Sequence, residues 1–417
     1  MTRLRYVHWK EDDFHLGYFE DYPDYITQGT TLDELLDNLR SLYADLTSGR
    51  IPYVKKVDEL ILQDGDAFRI GEAHLVFKSG FNAEALTMAD ESLSRMPARR
   101  PVIFIPGLMG SELWLGNERV WPDVKTIFKN PEAFRYPSKI PLEPRGIVNE
   151  VVIVPNLIKM DQYNRLGDYL VEELAYQRGV DFFEFPYDWR QDVRISARQL
   201  GEFIESLKLK MPAILIAHSL GTMVSRYYIE RLGGKSRVER IMLLGGPHAG
   251  AVKGLTSLLV APKVLPFGLM GEQMRQVAMS FPSAYQIIPT YPCGADQTGK
   301  KINFLEDESW VDAEHLPLLR AGREFSQELG RRATYPAVCI FGYGLKTITD
   351  VHLQREASGA LKDVNYSMTP SGDSTILERS AVLEGADIHP VQQYHGSLFV
   401  DNDVKMRLKL ELTRKFD

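Results

Sequence analysis

The chain has 417 residues, 44% of them hydrophobic and 25% charged, with a formal net charge of −7. At roughly 150 residues per domain that is two or three domains, or one large domain with an insertion, and the composition excludes disordered, collagen-like and disulfide-scaffold chains. Residues 1–98 carry 10 Lys/Arg against 18 Asp/Glu and the other 319 carry 39 against 38, so an acidic front meets a neutral remainder, and no basic stripe offers a footprint for nucleic acid.

Two cysteines, Cys293 and Cys339, are too few for a disulfide framework and predict free thiols in a reducing compartment. The opening MTRLRYVHWKEDDF has no apolar run of the secretory kind, and no stretch of 18 apolar residues predicts a membrane span. The expectation is a cytoplasmic protein, at most peripheral to a membrane.

In chain order, RLRYVHW (3–9) and FHLGYF (14–19) are aromatic-rich runs about Lys10-Glu11-Asp12-Asp13, which predicts a hairpin. Thr31 followed by Glu34 predicts a capping box. Leu32, Leu35, Leu36, Leu39, Leu42, Tyr43 and Leu46 then recur at helical spacing up to a stop at Gly49. A last strand is expected in 57–62. The segment GYFEDYPDYITQGTTLDELLDNLRSLYADL resembles the HicB-type antitoxin domain, and the resemblance spans about residues 1–62. It implies a small α+β domain over 1–64 that contacts a protein partner or a second copy, with an inert structural appendage as the alternative; a linker over 65–98, with two short strands, follows.

From residue 99 onward the pattern changes. Short apolar runs at 102–105, 181–185, 213–217, 240–244 and 337–341 alternate with amphipathic stretches near 161–178, 192–209 and 222–232, which predicts an α/β domain on a mainly parallel sheet. Gly246 to Pro336 is too long for a simple strand connection and predicts a cap or lid insertion at about 251–335. Its apolar, proline-broken segment GLTSLLVAPKVLPFGLM, with Phe267, Leu269 and Met270, and the following FPSAYQIIP suit an acyl chain or a lipid surface.

The sharpest motif is Ala217-His218-Ser219-Leu220-Gly221, between the predicted strand AILIA and the predicted helix TMVSRYYIERLGG. A serine on such a strand-to-helix turn stands clear of the sheet, and the crowded backbone requires small residues two before and two after it. A serine nucleophile needs a histidine base and an orienting carboxylate, which follow it in the order acid, then histidine. His389 lies in an apparent strand beside Pro390, whereas His395 opens a loop, so His395 is the expected base. Asp373, in the small-residue turn PSGDSTI, is the expected acid, with Asp350, Asp363 and Asp387 as rivals. The backbone N–H groups of Leu108, on the PGLMGS loop, and of Leu220 are the expected oxyanion donors.

The ordered segments VIFIPGLMGSELW, RVWPD, FPYDWR, AHSLGTMVSRYYIE, GGPHAGA, FPSAYQIIP, FGYGLKT and GDST resemble the lecithin:cholesterol acyltransferase-like family of α/β-hydrolases, over about 101–400. The resemblance implies an α/β-hydrolase fold and a lipid O-acyltransferase working through an acyl-serine. It implies a triad of Ser219, Asp373 and His395, oxyanion positions at Leu108 and Leu220, and supporting roles for Gly107, Trp121, Asp188, Trp189 and Arg190. No metal or cofactor is expected. Esterase, lipase or phospholipase A hydrolysis of the same bonds is the alternative. A non-catalytic, partner-binding regulator is the further one. No counterpart of the animal enzymes' signal peptide and lid cysteine pair is read in this sequence, so neither a plasma nor a lysosomal role is expected.

Overall fold

The computed structural model describes residues 4–11, 14–22, 25–48, 56, 67–70, 73–76, 99–123, 126, 130–148, 163–260, 271–357 and 361–413, and every structural statement below concerns these. The chain divides into two compact units, Met1–Met96 and Pro97–Asp417.

In the first unit, β1 (Tyr6–Glu11), β2 (Phe14–Phe19) and β3 (Thr27–Gly29) form an antiparallel sheet in that order. Helix α1 (Leu32–Thr47) buries Leu35, Leu39 and Leu46 with Phe19 and Tyr22. Each fully buried leucine of this kind contributes about 2–3 kcal/mol relative to exposure. The expected cap is present in altered form. The Thr31 hydroxyl accepts from the Glu34 N–H at 3.2 Å, but the Glu34 carboxylate reaches back to the N–H of Thr30, at 2.7 Å, rather than to that of Thr31. A short hairpin, β4 (Ala67–Ile70) and β5 (Ala73–Val76), follows. The strand expected in 57–62 and the stop at Gly49 lie outside the described residues.

The second unit is built on six parallel strands: β6 (Val102–Ile105), β10 (Phe182–Glu184), β11 (Ala213–His218), β12 (Val238–Leu244), β15 (Ala337–Gly342) and β18 (Asp387–Val391), in the order β10-β6-β11-β12-β15-β18. Alternate residues supply two cores. Ile103, Ile105, Leu215, Ala217, Ile241, Leu243 and Cys339 face one layer, with Val193, Leu200, Val224 and Phe325 from the helices. Val102, Phe104, Ile214, Ile216, Met242, Leu244, Val338 and Ile340 face the other, with Tyr163, Leu166, Leu408 and Leu412. Burial on both faces is why these strands read as unbroken apolar runs rather than alternating ones. This is an α/β-hydrolase fold.

The helices of the first layer are α3 (Val193–Ser206), α4 (Leu220–Arg231) and α8 (Leu316–Leu329). The opposite layer holds α2 (Tyr163–Asp168), continued by a wide turn to Glu173, and α9 (Asn402–Thr413). A further antiparallel sheet, β8 (Glu118–Trp121), β7 (Ser111–Leu115) and β9 (Glu143–Ile147), follows the first strand of the main sheet.

The cap differs from the contiguous 251–335 insertion that the loop length predicts. Helices α5 (Val252–Leu259), α6 (Gly271–Met279) and α7 (Pro282–Gln286) lie in that interval with the small strands β13 (Gly294–Asp296) and β14 (Lys301–Ile302). Gly294, however, pairs in parallel with Val351 on β16 (Leu345–Arg355), which pairs with β17 (Leu361–Gly372). The shared core joins Leu255, Tyr285, Phe304 and Leu319 to Val351 and Leu353. The hairpin beyond residue 335 therefore completes the cap, while Phe325 and Leu329 of α8 pack into the main body. Phe267, Leu269 and Met270 lie outside the described residues. In FPSAYQIIP, Phe281, Tyr285 and Ile288 are core residues, and Ile287 alone of the segment lines the cavity at the site. Among the described residues no helix is long and apolar enough to cross a membrane.

Candidate active site

Ser219 sits between β11 and α4 with φ 49° and ψ −122°. A non-glycine residue there stores backbone strain on the order of 1–3 kcal/mol, which the surrounding structure must hold. It is held by a 2.8 Å bond from the Ser219 N–H to the Leu244 carbonyl, on the adjacent strand. The glycine two residues later is a steric necessity: a Cβ on Gly221 would lie 2.4 Å from the carbonyl oxygen of Pro106. Ala217, two residues before, is wholly buried and its methyl is accommodated.

The loop after β6 comes up against this turn. A Cβ on Gly107 would lie 2.8 Å from that of Ser219, so only glycine allows the approach. Indole and phenol groups pin the loop in place. The Trp121 ring N–H donates to the Met109 carbonyl (2.8 Å), the Trp189 ring N–H to that of Ser111 (3.1 Å), and the Tyr187 hydroxyl to that of Pro106 (3.0 Å). Met109 has a φ of 65°, and the Gly110 N–H closes the turn on the Gly107 carbonyl at 3.1 Å. Leu108 and Leu220 both line the cavity beside Ser219. Leu220 opens α4, whose first-turn N–H groups have no acceptor within the helix.

His395 begins a short 3₁₀ turn (His395–Val400) and is bound twice to Asp373. Its Nδ1 lies 2.8 Å from Asp373 Oδ2, and its backbone N–H donates to the Asp373 carbonyl at 3.0 Å. The other carboxylate oxygen, Oδ1, accepts from the N–H groups of Thr375 (2.9 Å) and Ile376 (2.6 Å). Asp373 is 1% exposed, and its carboxylate is fixed on both oxygens, so the imidazole it holds has one orientation.

Ser219 and His395 line one cavity of about 320 Å³, whose lining includes the apolar Leu108, Met109, Leu220, Ile287 and Ile376 and the polar Lys253, Ser257, Ser374 and Thr375. The rival residues are elsewhere. His389 is within β18 opposite Ile340. Asp350 lines a separate depression with Glu378 and Arg379. Asp363 bonds its own strand at Val364 and Asn365, and Asp387 lies 3.6 Å from Arg407.

Asp188 and Arg190 do not line the cavity. They form a two-point ion pair at 2.9 and 2.8 Å, and the guanidinium also donates to the Phe134 carbonyl and the Ser138 hydroxyl. Through Arg190 the pair is tied to the segment that carries Phe134, whose ring packs edge-on against Trp121. Two residues, Lys253 on the cavity wall and Tyr163 buried behind it, have weak signals in the sequence. Lys253 follows GGPHAGA and donates to Ser374 and Thr375 at 3.3 Å, and Tyr163, in no motif, reads as one more apolar position of a helix. His248 of GGPHAGA is buried, and burial, reinforced by the positive charge of Arg226 and Arg331, holds its pKa well below the usual histidine range. Burial likewise pushes the neighbouring Cys339 thiol up to about 11.

Residues 155–327 match the family described as Lecithin:cholesterol acyltransferase. The chain is similar to that family. It is also similar to the "Lysosomal phospholipase A and acyltransferase" of Canis lupus familiaris, at 23% identity over 319 residues, covering 63% of this chain and 77% of that protein. The protein of the same description from Rattus norvegicus is 23% identical over 317 residues, covering 60% and 74%. Among solved structures, a chain in the crystal structure of the Tle4-Tli4 complex has a TM-score of 0.51 at 14% identity, over 77% of this chain and 100% of that one, a likeness of fold.

Proposed function

We propose that this chain is a lipid acyl-ester enzyme that transfers an acyl group through a covalent acyl-Ser219, with water as a competing acceptor. The observation that carries the reading is a single one. A serine on a strained strand-to-helix turn shares a cavity with a histidine locked by a buried, doubly bonded carboxylate. The likeness to proteins named as phospholipase A and acyltransferase supports a lipid ester as substrate.

In this mechanism His395 takes the proton from Ser219 Oγ as that oxygen attacks the ester carbonyl carbon. The carbonyl π electrons move to oxygen, where the N–H groups of Leu108 and Leu220 meet the charge; one such donor is typically worth about 3 kcal/mol. The C–O bond to the leaving alcohol breaks, and His395 returns the proton to that alcohol. An acceptor hydroxyl or water, deprotonated by His395, then attacks acyl-Ser219 to give a new ester or a fatty acid and restore the serine. Asp373 keeps the proton on His395 Nδ1, so that Nε2 is the base. A lipid alcohol held beside the acyl-enzyme can outcompete water because effective molarities of well-oriented groups reach about 10⁵ M or more.

The test has two arms. A fluorophosphonate should label the protein and fail to label Ser219→Ala; undiminished labelling of that variant overturns the nucleophile. With a labelled phospholipid donor and a long-chain alcohol in one vesicle, mass spectrometry should show the new ester beside free fatty acid. Fatty acid alone at every alcohol concentration would leave hydrolysis as the activity.

The same proposal gives the first unit the role of a HicB-like contact module. Tyr6, Val7, Trp9 and Phe14 are exposed on its β1–β2 hairpin, a surface suited to a protein partner or a second copy. The two free, buried thiols fit a reducing compartment and so a cytoplasmic setting, at most peripheral to a lipid surface.

A further inference from the structure

We infer that Tyr163 and His218 are positioning residues of this site: a two-ring hydrogen-bond relay that ties the oxyanion loop to the main chain of His395. The inference rests on the proposed acyl-serine reading and adds to it two side chains that never touch the substrate.

The contacts form one chain. The Gly107 N–H donates to the Tyr163 hydroxyl oxygen at 2.9 Å, that hydroxyl lies 2.8 Å from His218 Nδ1, and His218 Nε2 lies 3.2 Å from the His395 carbonyl oxygen. Their direction follows from what each group can do. A carbonyl only accepts, so Nε2 carries the proton. In the neutral ring Nδ1 is then the acceptor, and the Tyr163 O–H donates to it. The phenol oxygen keeps a lone pair for the Gly107 N–H. Every hydrogen points one way along the relay, from loop and phenol toward the imidazole and on to residue 395.

Location sets this apart from an ordinary satisfied pair in a core. One end grips the peptide next to Leu108, the oxyanion position. The other grips His395 itself, whose N–H is already held by the Asp373 carbonyl, so the main chain of the base is bonded on both its N–H and its C=O. Between the ends stands His218, the immediate neighbour of the strained Ser219. Tyr163 and His218 are 2% and 0% exposed, and Phe399 packs against both rings, with centroids 5.2 and 4.9 Å away. In such a water-excluded setting a missing partner leaves a buried N–H or carbonyl without water to replace it. The three parts that must meet at the reacting carbonyl are thereby fixed relative to one another.

Tyr163→Phe keeps the ring and removes the hydroxyl that meets the Gly107 N–H and His218 Nδ1. It should lower kcat on a p-nitrophenyl ester about tenfold or more with KM within twofold. It should also raise the Ki of an alkyl trifluoromethyl ketone, which adds to the serine as a tetrahedral oxyanion, by the same factor. A merely structural role would not couple those two numbers. His218→Gln, which can still offer an N–H toward the His395 carbonyl, should retain clearly more activity than His218→Leu. In the unaltered protein, ¹⁵N-edited NMR should find the His218 proton on Nε2. A proton on Nδ1 alone overturns the relay, whether or not the variants fold. So does a folded Tyr163→Phe with unchanged kcat and ketone Ki in a protein whose Ser219 is still labelled by fluorophosphonate. Absence of that labelling in the unaltered protein instead strikes the acyl-serine reading beneath it.

Discussion

At the scale of single residues, burial decides what two histidines of this chain can do. His395 is turned toward the cavity with its Nδ1 held by Asp373, while His248 lies wholly inside with its pKa depressed. The second case makes stability depend on pH in one direction. Below about 6.5 the unfolded chain protonates this histidine and the folded one does not, so the unfolded state binds more protons. The stability that His248 contributes is therefore complete above that pH and is lost as the pH falls toward its folded value, at up to about 1.4 kcal/mol per pH unit. Urea denaturation from pH 7.5 to 5 should show this decline. His248→Leu should start lower and fall less steeply; parallel curves for the two proteins would show that this group does not contribute.

Among the elements, the loop that follows β6 is the one on which geometry rests. It is not a regular element, and its shape comes from groups brought to it by others: Trp121 from the end of β8, Tyr187 and Trp189 from the segment after β10, and Tyr163 from α2. Trp121→Phe removes the N–H that meets the Met109 carbonyl while keeping a ring to pack on Phe134 and Trp189. Displacing a catalytic group by even part of an ångström is costly in rate. The expected outcome is a kcat about tenfold lower on a short ester, with KM little changed and a thermal midpoint a few degrees down, measured by steady-state kinetics and calorimetry. A variant with unaltered kcat would show that the other three contacts suffice to hold the loop.

For the whole molecule, the two compact units each have a core of their own: Phe19, Tyr22, Leu35, Leu39 and Leu46 in the first, the two-sided sheet in the second. Residues 97–417 expressed alone should fold cooperatively and hydrolyse a short p-nitrophenyl ester at a rate close to that of the full chain. Insoluble or inactive protein would mean that the first unit is needed to complete the second.

What the sequence determined by itself is local in origin. The parallel strands showed as unbroken apolar runs because both faces of the sheet are covered, and α1 showed its cap and leucine face because both recur within a few residues. The turn at Ser219 was legible because its steric demands fall on residues two places away on either side. The tertiary structure decided everything that depends on distant segments meeting. Asp373 is placed against His395, and away from Asp350, Asp363 and Asp387, by the return of the chain from β17 through its turn to β18. The cap includes the hairpin 345–372 because β13 pairs with β16 across more than fifty residues of sequence. Tyr163 gives no sign in the sequence, since a phenol on the buried face of a helix has the same periodicity whether its hydroxyl serves a site or only fills space. Its position became visible only when folding brought Gly107 and His218 to its hydroxyl and His395 to the far side of His218, for hydrogen bonds between such separated residues leave no spacing to read.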